Sequence, residues 1–138
     1  VWEVFLQYEA PIYPQEGIES FRSFLGDRKT LDTLEFFGAF CGGQLRGVLA
    51  ASDHCSHICL LFVDARYHRQ GIGKSLWQYM RERGTGRCVT VNASPYGVAF
   101  YRKMGFRDTD TQQCRDGIRY TPMQYERWSV EPYQKALP

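Results

Sequence analysis

The stretch from Ile58 to Met80 constrains the architecture of this chain more than any other. Ile58 to Val63 is continuously apolar, a short polar loop follows, and then come two closely spaced glycines, Gly71 and Gly73. Leu76, Tyr79 and Met80 continue at the spacing of one helix face. A strand, a tight glycine turn and the start of a helix satisfy that order. Such a junction exposes the amides of a helix N-terminus, and glycines let a phosphate reach the backbone without meeting a Cβ. Arg69 and Lys74 add positive charge beside those amides. The stretch predicts a site for a phosphate-bearing ligand.

Three glycine motifs compete for the loop. Gly73-Lys74-Ser75 fits the tail of a P-loop, but His68 stands at its first glycine position and no later apolar strand ends in a magnesium-binding Asp. A dinucleotide fingerprint read from Gly71 meets Leu76 where its third glycine belongs, and Asp108 is too distant to serve as its acidic residue. The third fits. His68, Gly71 and Gly73 occupy the fixed positions of Gln/Arg-x-x-Gly-x-Gly/Ala, and the spacing resembles motif A of the GNAT superfamily of N-acetyltransferases, with His68 departing from the usual Gln or Arg. Downstream, Val89 and Val91 alternate as in a strand and Pro95 breaks it; Val98, Phe100, Tyr101 and Met104 then keep helical spacing up to Gly105. That block resembles the family's motif B, and the resemblance covers about residues 16 to 125.

The 138 residues suffice for one domain with its own core, read as residues 1–126 with a C-terminal tail at 127–138. A net charge of only +2 and the lack of any basic run argue against nucleic-acid or membrane-surface partners. No apolar stretch is long enough to span a bilayer and no signal peptide is evident. Five scattered cysteines do not suggest a disulfide framework, which points to the reducing cytoplasm. His54, Cys55, His57 and Cys59 invite a metal reading. On a strand, however, Cys55, His57 and Cys59 share a face without a second ligand cluster, so the cysteines read as small apolar residues and no metal is expected.

Helices are expected over Val1–Glu9, ahead of Pro11 and Pro14, and over Glu16–Leu25, closed by Gly26. Strands are expected over Leu34–Cys41 and Gln44–Ser52, joined by Gly42-Gly43, and over His57–Val63. After the helix Gly71–Arg83 come a strand Cys88–Asn92, a helix Tyr96–Met104 and strands Phe106–Gln113 and Ile118–Tyr125, joined through Asp116-Gly117. The fold class is therefore α/β (α+β), a mixed sheet with helices on both faces. The resemblance implies a mostly antiparallel GNAT sheet splayed between its two central parallel strands. Family members also open with a strand before the first helix, and that strand is trimmed away or absent here.

By the same resemblance the co-substrate is acetyl-CoA. The backbone of Leu61, Phe62 and Val63 would pair with the pantetheine arm as an added strand. His68, Arg69, Gln70, Gly71, Ile72, Gly73, Lys74 and Ser75 would surround the pyrophosphate, and Asn92 would bond the pantetheine or the acetyl-bearing end. Tyr101 matches the tyrosine that serves the leaving thiolate as acid, and its bland alternative is a core aromatic at helical spacing. His57 lies fourteen positions before Gly71, where histone-type relatives carry their general-base glutamate. A histidine titrates near neutrality and suits that task, the bland alternative being a solvent-facing strand end; Asp53, Glu19 or water are the other candidates. The expected activity is direct acetyl transfer to a primary amine on a small molecule, peptide or protein, with a homodimer as one possible assembly. A catalytically silent acyl-CoA-binding regulatory or sensor module is the alternative.

Overall fold

The computed structural model describes residues 1–2, 6, 10, 13–68 and 70–128. Most of the expected Val1–Glu9 helix lies outside the described residues, as do Arg69 and residues 129–138.

Helix α1 spans Gln15–Gly26 and so includes the glycine expected to close it. The break comes at Asp27, whose carboxylate accepts from the Thr30 amide (3.3 Å) and hydroxyl (2.7 Å) and thereby starts a short second helix, α2, Arg28–Leu31. Strands β1 (Glu35–Cys41) and β2 (Gln44–Ser52) form the expected hairpin. Its turn residues Gly42 and Gly43 both take positive φ, +59° and +76°, the mirror-image geometry that matches the twist of paired strands. Strand β3 (His57–Val63) lies antiparallel to β2. The chain then passes through a 3₁₀ turn, Ala65–Tyr67, and helix α3, Ile72–Arg81, before β4, Cys88–Ala93, which runs parallel to β3. Helix α4 (Val98–Lys103) and strands β5 (Arg107–Asp108), β6 (Gln113–Arg115) and β7 (Ile118–Glu126) complete the chain. The seven-stranded sheet runs β1-β2-β3-β4-β7-β5, with β6 also paired to β7, and β3–β4 is its parallel pair.

The single strand expected over Phe106–Gln113 is two short ones, and Pro122 supplies the reason. Thr109 donates its amide to the Pro122 carbonyl (2.9 Å), so Pro122 turns its main-chain atoms toward β5. The next ladder bond would need an N–H from Pro122, which proline lacks, and β5 ends at Asp108.

Two apolar cores sandwich the sheet. Trp77, Met80, Leu76, Tyr101 and Phe106 pack with Leu49, Val89, Val91 and Met123 beneath α3 and α4. On the opposite face Ile18, Phe21, Phe24 and Leu25 of α1 cover Ala50, Leu60 and Phe62. Helix α1 is further tied to the β6–β7 turn, where Ser20 donates its hydroxyl to the Asp116 carbonyl (2.9 Å) and Gly17 meets Gly117 backbone to backbone. A Cβ at Gly17 would collide with the Gly117 carbonyl, its carbon 2.8 Å away. Gly17→Ala should therefore destabilise the fold by about 1–3 kcal/mol in denaturant titration, the backbone collision outweighing the ~1 kcal/mol that alanine gains in a helix. A neutral or stabilising result would show that the α1 contact yields without cost.

Candidate functional site

The parallel ladder between β3 and β4 is brief. His57 lies opposite Thr90 and Ile58 opposite Val91, and pairing ends there although β3 continues to Val63. A bulge coincides with the break. Ala51 pairs with Ile58 and Ala50 with Leu60, leaving Cys59 as the extra residue. In an unbroken strand Ile58, Leu60 and Phe62 would share a face. Here Ile58 joins the core under α3, whereas Leu60 and Phe62 join the core under α1.

The open edge of β3 can be read peptide by peptide. Asp64 donates its amide to the Arg46 carbonyl on β2 (2.7 Å). In a trans peptide the preceding carbonyl points the opposite way, so the Val63 C=O faces the slot. Alternation turns the main-chain groups of Leu61 to the slot as well, and those of Phe62 to β2. Across the slot, Thr90 donates its amide to the Ser56 carbonyl (2.9 Å), and Asn92, two residues on, turns its main chain the same way. The Asn92 side chain is exposed, on the α1 side of the sheet with Thr90.

At the far end of β3 stands the N-terminus of α3. Gly71 takes φ +81° as its cap, no side chain caps the helix, and the first helical bond is Ser75 N–H to Gly71 C=O (2.9 Å). The amides of Ile72, Gly73 and Lys74 therefore have no acceptor within the helix. Gln70, Lys74 and Ser75 are exposed around them. A Cβ on Gly71 would meet open space, so positive φ accounts for that glycine within the protein. Gly73 answers a different demand. A Cβ there would press on the Phe100 ring at 3.3 Å, so Gly73 is what lets α4 pack against α3. The preceding loop is braced by Asp64, which pairs with Arg46 (3.3 Å) and Arg66 (3.0 Å), and the Arg66 bonds together with the Arg46 charge hold its carboxyl down to about 2. His68 places Nε2 2.7 Å from the Val63 carbonyl.

The two residues expected to handle protons sit on opposite faces of the sheet. Tyr101 is buried in the α3-side core, its ring edge-on to Phe100 and Phe106 at 5.2 and 5.3 Å. His57 alternates with Ile58 and so faces the α1 side. Its Nδ1 lies 2.7 Å from the Thr90 hydroxyl, which in turn donates to the Ser56 carbonyl at 3.4 Å. Where the hydroxyl gives its proton to Ser56, Nδ1 carries a hydrogen and Nε2 keeps the lone pair; where it gives it to Nδ1, the two nitrogens exchange roles. Burial pushes the His57 pKa below its ordinary value, and the nearby charge of Asp53 offsets part of the shift. Thr90 was legible only as an alternating strand residue, because the register that brings it to His57 is a tertiary fact.

The loop before His57 departs from expectation. Cys55 is not on the strand: Asp53, His54 and Cys55 all have positive φ (53°, 56° and 60°), closed by Ser56 N–H to Ser52 C=O at 3.1 Å. The Cys55 side chain consequently enters the α3-side core and donates to Glu35 (3.1 Å), and burial, then Glu35, pushes its thiol up to about 11. Arg127, expected to begin a tail, donates its guanidinium to the carbonyls of Cys55, Arg81 (3.1 Å) and Gly86 (2.9 Å). Among the described residues no group of three or more His, Cys, Asp or Glu could hold a metal, and no helix is long and apolar enough to cross a membrane.

The acetyltransferase (GNAT) domain family matches residues 9–127. The chain belongs to that family. No curated protein matches it, but solved structures do. A GCN5-related N-acetyltransferase from Rhodopseudomonas palustris superposes with a TM-score of 0.78 at 21% identity, over 91% of this chain and 84% of that one. The PaiA N-acetyltransferase from Thermoplasma acidophilum, in complex with coenzyme A, gives 0.70 at 25% identity, over 91% and 87%. An aminoglycoside 6′-N-acetyltransferase complexed with coenzyme A gives 0.63 at 12% identity, over 95% and 91%. The mixed, mostly antiparallel sheet with its parallel β3–β4 pair and flanking helices is the expected GNAT fold.

Proposed function

We propose that this GNAT domain transfers the acetyl group of acetyl-CoA directly to a primary amine within a ternary complex. The observation that carries the reading is the continuity of two open features, the slot edge of β3 beyond Ile58 and the uncapped N-terminus of α3. One extended ligand suits both. Its amide-bearing arm would pair with Leu61 and Val63 as an added strand, and its pyrophosphate would take the amides of Ile72, Gly73 and Lys74. Asn92 would meet the acetyl end across the slot.

The acceptor would approach on the α1 side, where His57 Nε2 takes the ammonium proton. The amine nitrogen then attacks the thioester carbonyl and the C–N bond forms. As the tetrahedral intermediate collapses the C–S bond breaks, Tyr101 protonates the leaving thiolate, and the second nitrogen proton leaves to solvent, from which Tyr101 is reprotonated. Positioning the two reactants would supply most of the rate. Acceptors in this reading are small-molecule amines or the amines of peptides and proteins, in a cytoplasmic setting.

Gly71→Asn tests the cofactor site, because asparagine tolerates positive φ while adding side-chain atoms where the phosphate must approach. The variant should keep its melting temperature and lose roughly tenfold or more in coenzyme A affinity by calorimetry, as several charge-assisted bonds weaken together. Unchanged affinity would remove the basis for the site. Binding without turnover of any amine would favour the silent sensor module instead.

Tyr101→Phe keeps the ring and deletes the proton donor. Its kcat should fall by ~10²-fold with little change in KM for acetyl-CoA. Full turnover with a lower melting temperature would make Tyr101 a packing residue.

His57 should appear in the pH profile. Only the neutral ring accepts a proton, and its lowered pKa keeps that form populated to more acidic pH than usual. With one acceptor throughout, kcat/KM should rise with pH through a limb below the ordinary histidine value of ~6.5. His57→Ala should abolish that limb, and Asp53→Asn should move it lower still, since the Asp53 charge raises the pKa. A limb that survives in His57→Ala would assign the proton to water or a carboxylate.

A further inference from the structure

We infer that His68 is a positioning residue whose ring N–H staples the strand end of the cofactor slot to the glycine turn, and that the first position of the motif is defined by a side-chain donor. The inference rests on the acetyl-CoA reading above and adds to it how the two halves of the site keep their distance. A carbonyl oxygen can only accept, so the 2.7 Å contact from Nε2 to the Val63 carbonyl requires the hydrogen on Nε2. That carbonyl points into the slot, on the edge that β4 no longer covers. The bond spans the 3₁₀ turn Ala65–Tyr67, which closes on itself through Tyr67 N–H to Asp64 C=O at 2.8 Å, and His68 stands three residues before Gly71. One contact thus ties the end of the pairing edge to the start of the anion-binding helix.

The motif's chemistry follows. Glutamine, arginine and histidine differ in charge and shape, yet each carries a side-chain N–H that can reach a carbonyl a few residues back. A donor is their common property, and the histidine here fulfils it. The Val63 carbonyl keeps a second lone pair beside the His68 bond, so an arm lying along the slot still meets both an amide and a carbonyl at Val63, as it does at Leu61.

The experiment compares His68→Gln with His68→Leu, using coenzyme A and pantetheine as separate calorimetric probes. His68→Gln should bind coenzyme A within about twofold of the parent, whereas His68→Leu should lose roughly three- to tenfold, the worth of one hydrogen bond. Pantetheine engages the edge without the helix terminus, so its affinity should be the same in both variants. Long-range proton–nitrogen NMR correlations of the neutral ring should give the Nε2–H tautomer in the unliganded protein. Parent-like coenzyme A affinity in His68→Leu, equal loss in both variants, or an Nδ1–H tautomer would overturn the staple. If the parent protein bound no coenzyme A while the Nε2–H tautomer was present, the acetyl-CoA reading would fail and the staple would stand.

Discussion

β3 and β4 share the His57–Thr90 and Ile58–Val91 pairings and then part, and the rest of the site depends on that unmade ladder. A backbone amide or carbonyl left without a partner in a dry interior costs about 1–3 kcal/mol, so strand edges of this kind remain wet or take a ligand that hydrogen-bonds. The bulge at Cys59 keeps the rest of the strand stable despite the gap. By shifting the alternation, it sends Ile58 to one core and Leu60 and Phe62 to the other. Side-chain burial then holds β3 in place where hydrogen bonds to β4 do not.

The turn from Asp53 to Cys55 carries the opposite kind of constraint. Left-handed backbone costs roughly 1–2 kcal/mol per residue for anything but glycine, and three such residues occur in succession. The Cys55 thiol buried beside Glu35 and the Arg127 guanidinium on the Cys55 carbonyl offset that strain. Arg127 also grips the C-terminal turn of α3 through the Arg81 carbonyl, so the loop that leads into His57 is referenced to the helix whose other end starts at the uncapped glycine turn. Taking the thiol up to about 11 leaves Cys55 a packing group rather than a nucleophile.

The elements legible in the sequence were those with local causes. Apolar alternation and paired turn residues at positive φ, Gly42-Gly43 and Asp116-Gly117, located the two hairpins, and helical spacing located α1, α3 and α4. The strand–glycine–helix junction and the block ending in Gly105 identified the family. Features set by a neighbouring strand stayed hidden. The bulge shows only against β2, and the cut in β5 arises from a proline on β7 opposite it. Likewise His57 acquires Thr90 through the parallel register. The nearness of Gly73 to the Phe100 ring was also hidden, because sequence spacing gives no measure of how near two helices approach.

The two cores lie on opposite faces of one sheet and, among the described residues, hold no buried residue in common. Trp77, Tyr101 and their neighbours set the layer that carries the glycine turn, while Phe21, Phe24 and Leu25 set the layer over which an acceptor would approach. A substitution in α1 can therefore reshape one surface without repacking the other. A lineage that keeps its donor chemistry fixed can exchange acceptors by changing a single layer, with the sheet as the shared partition.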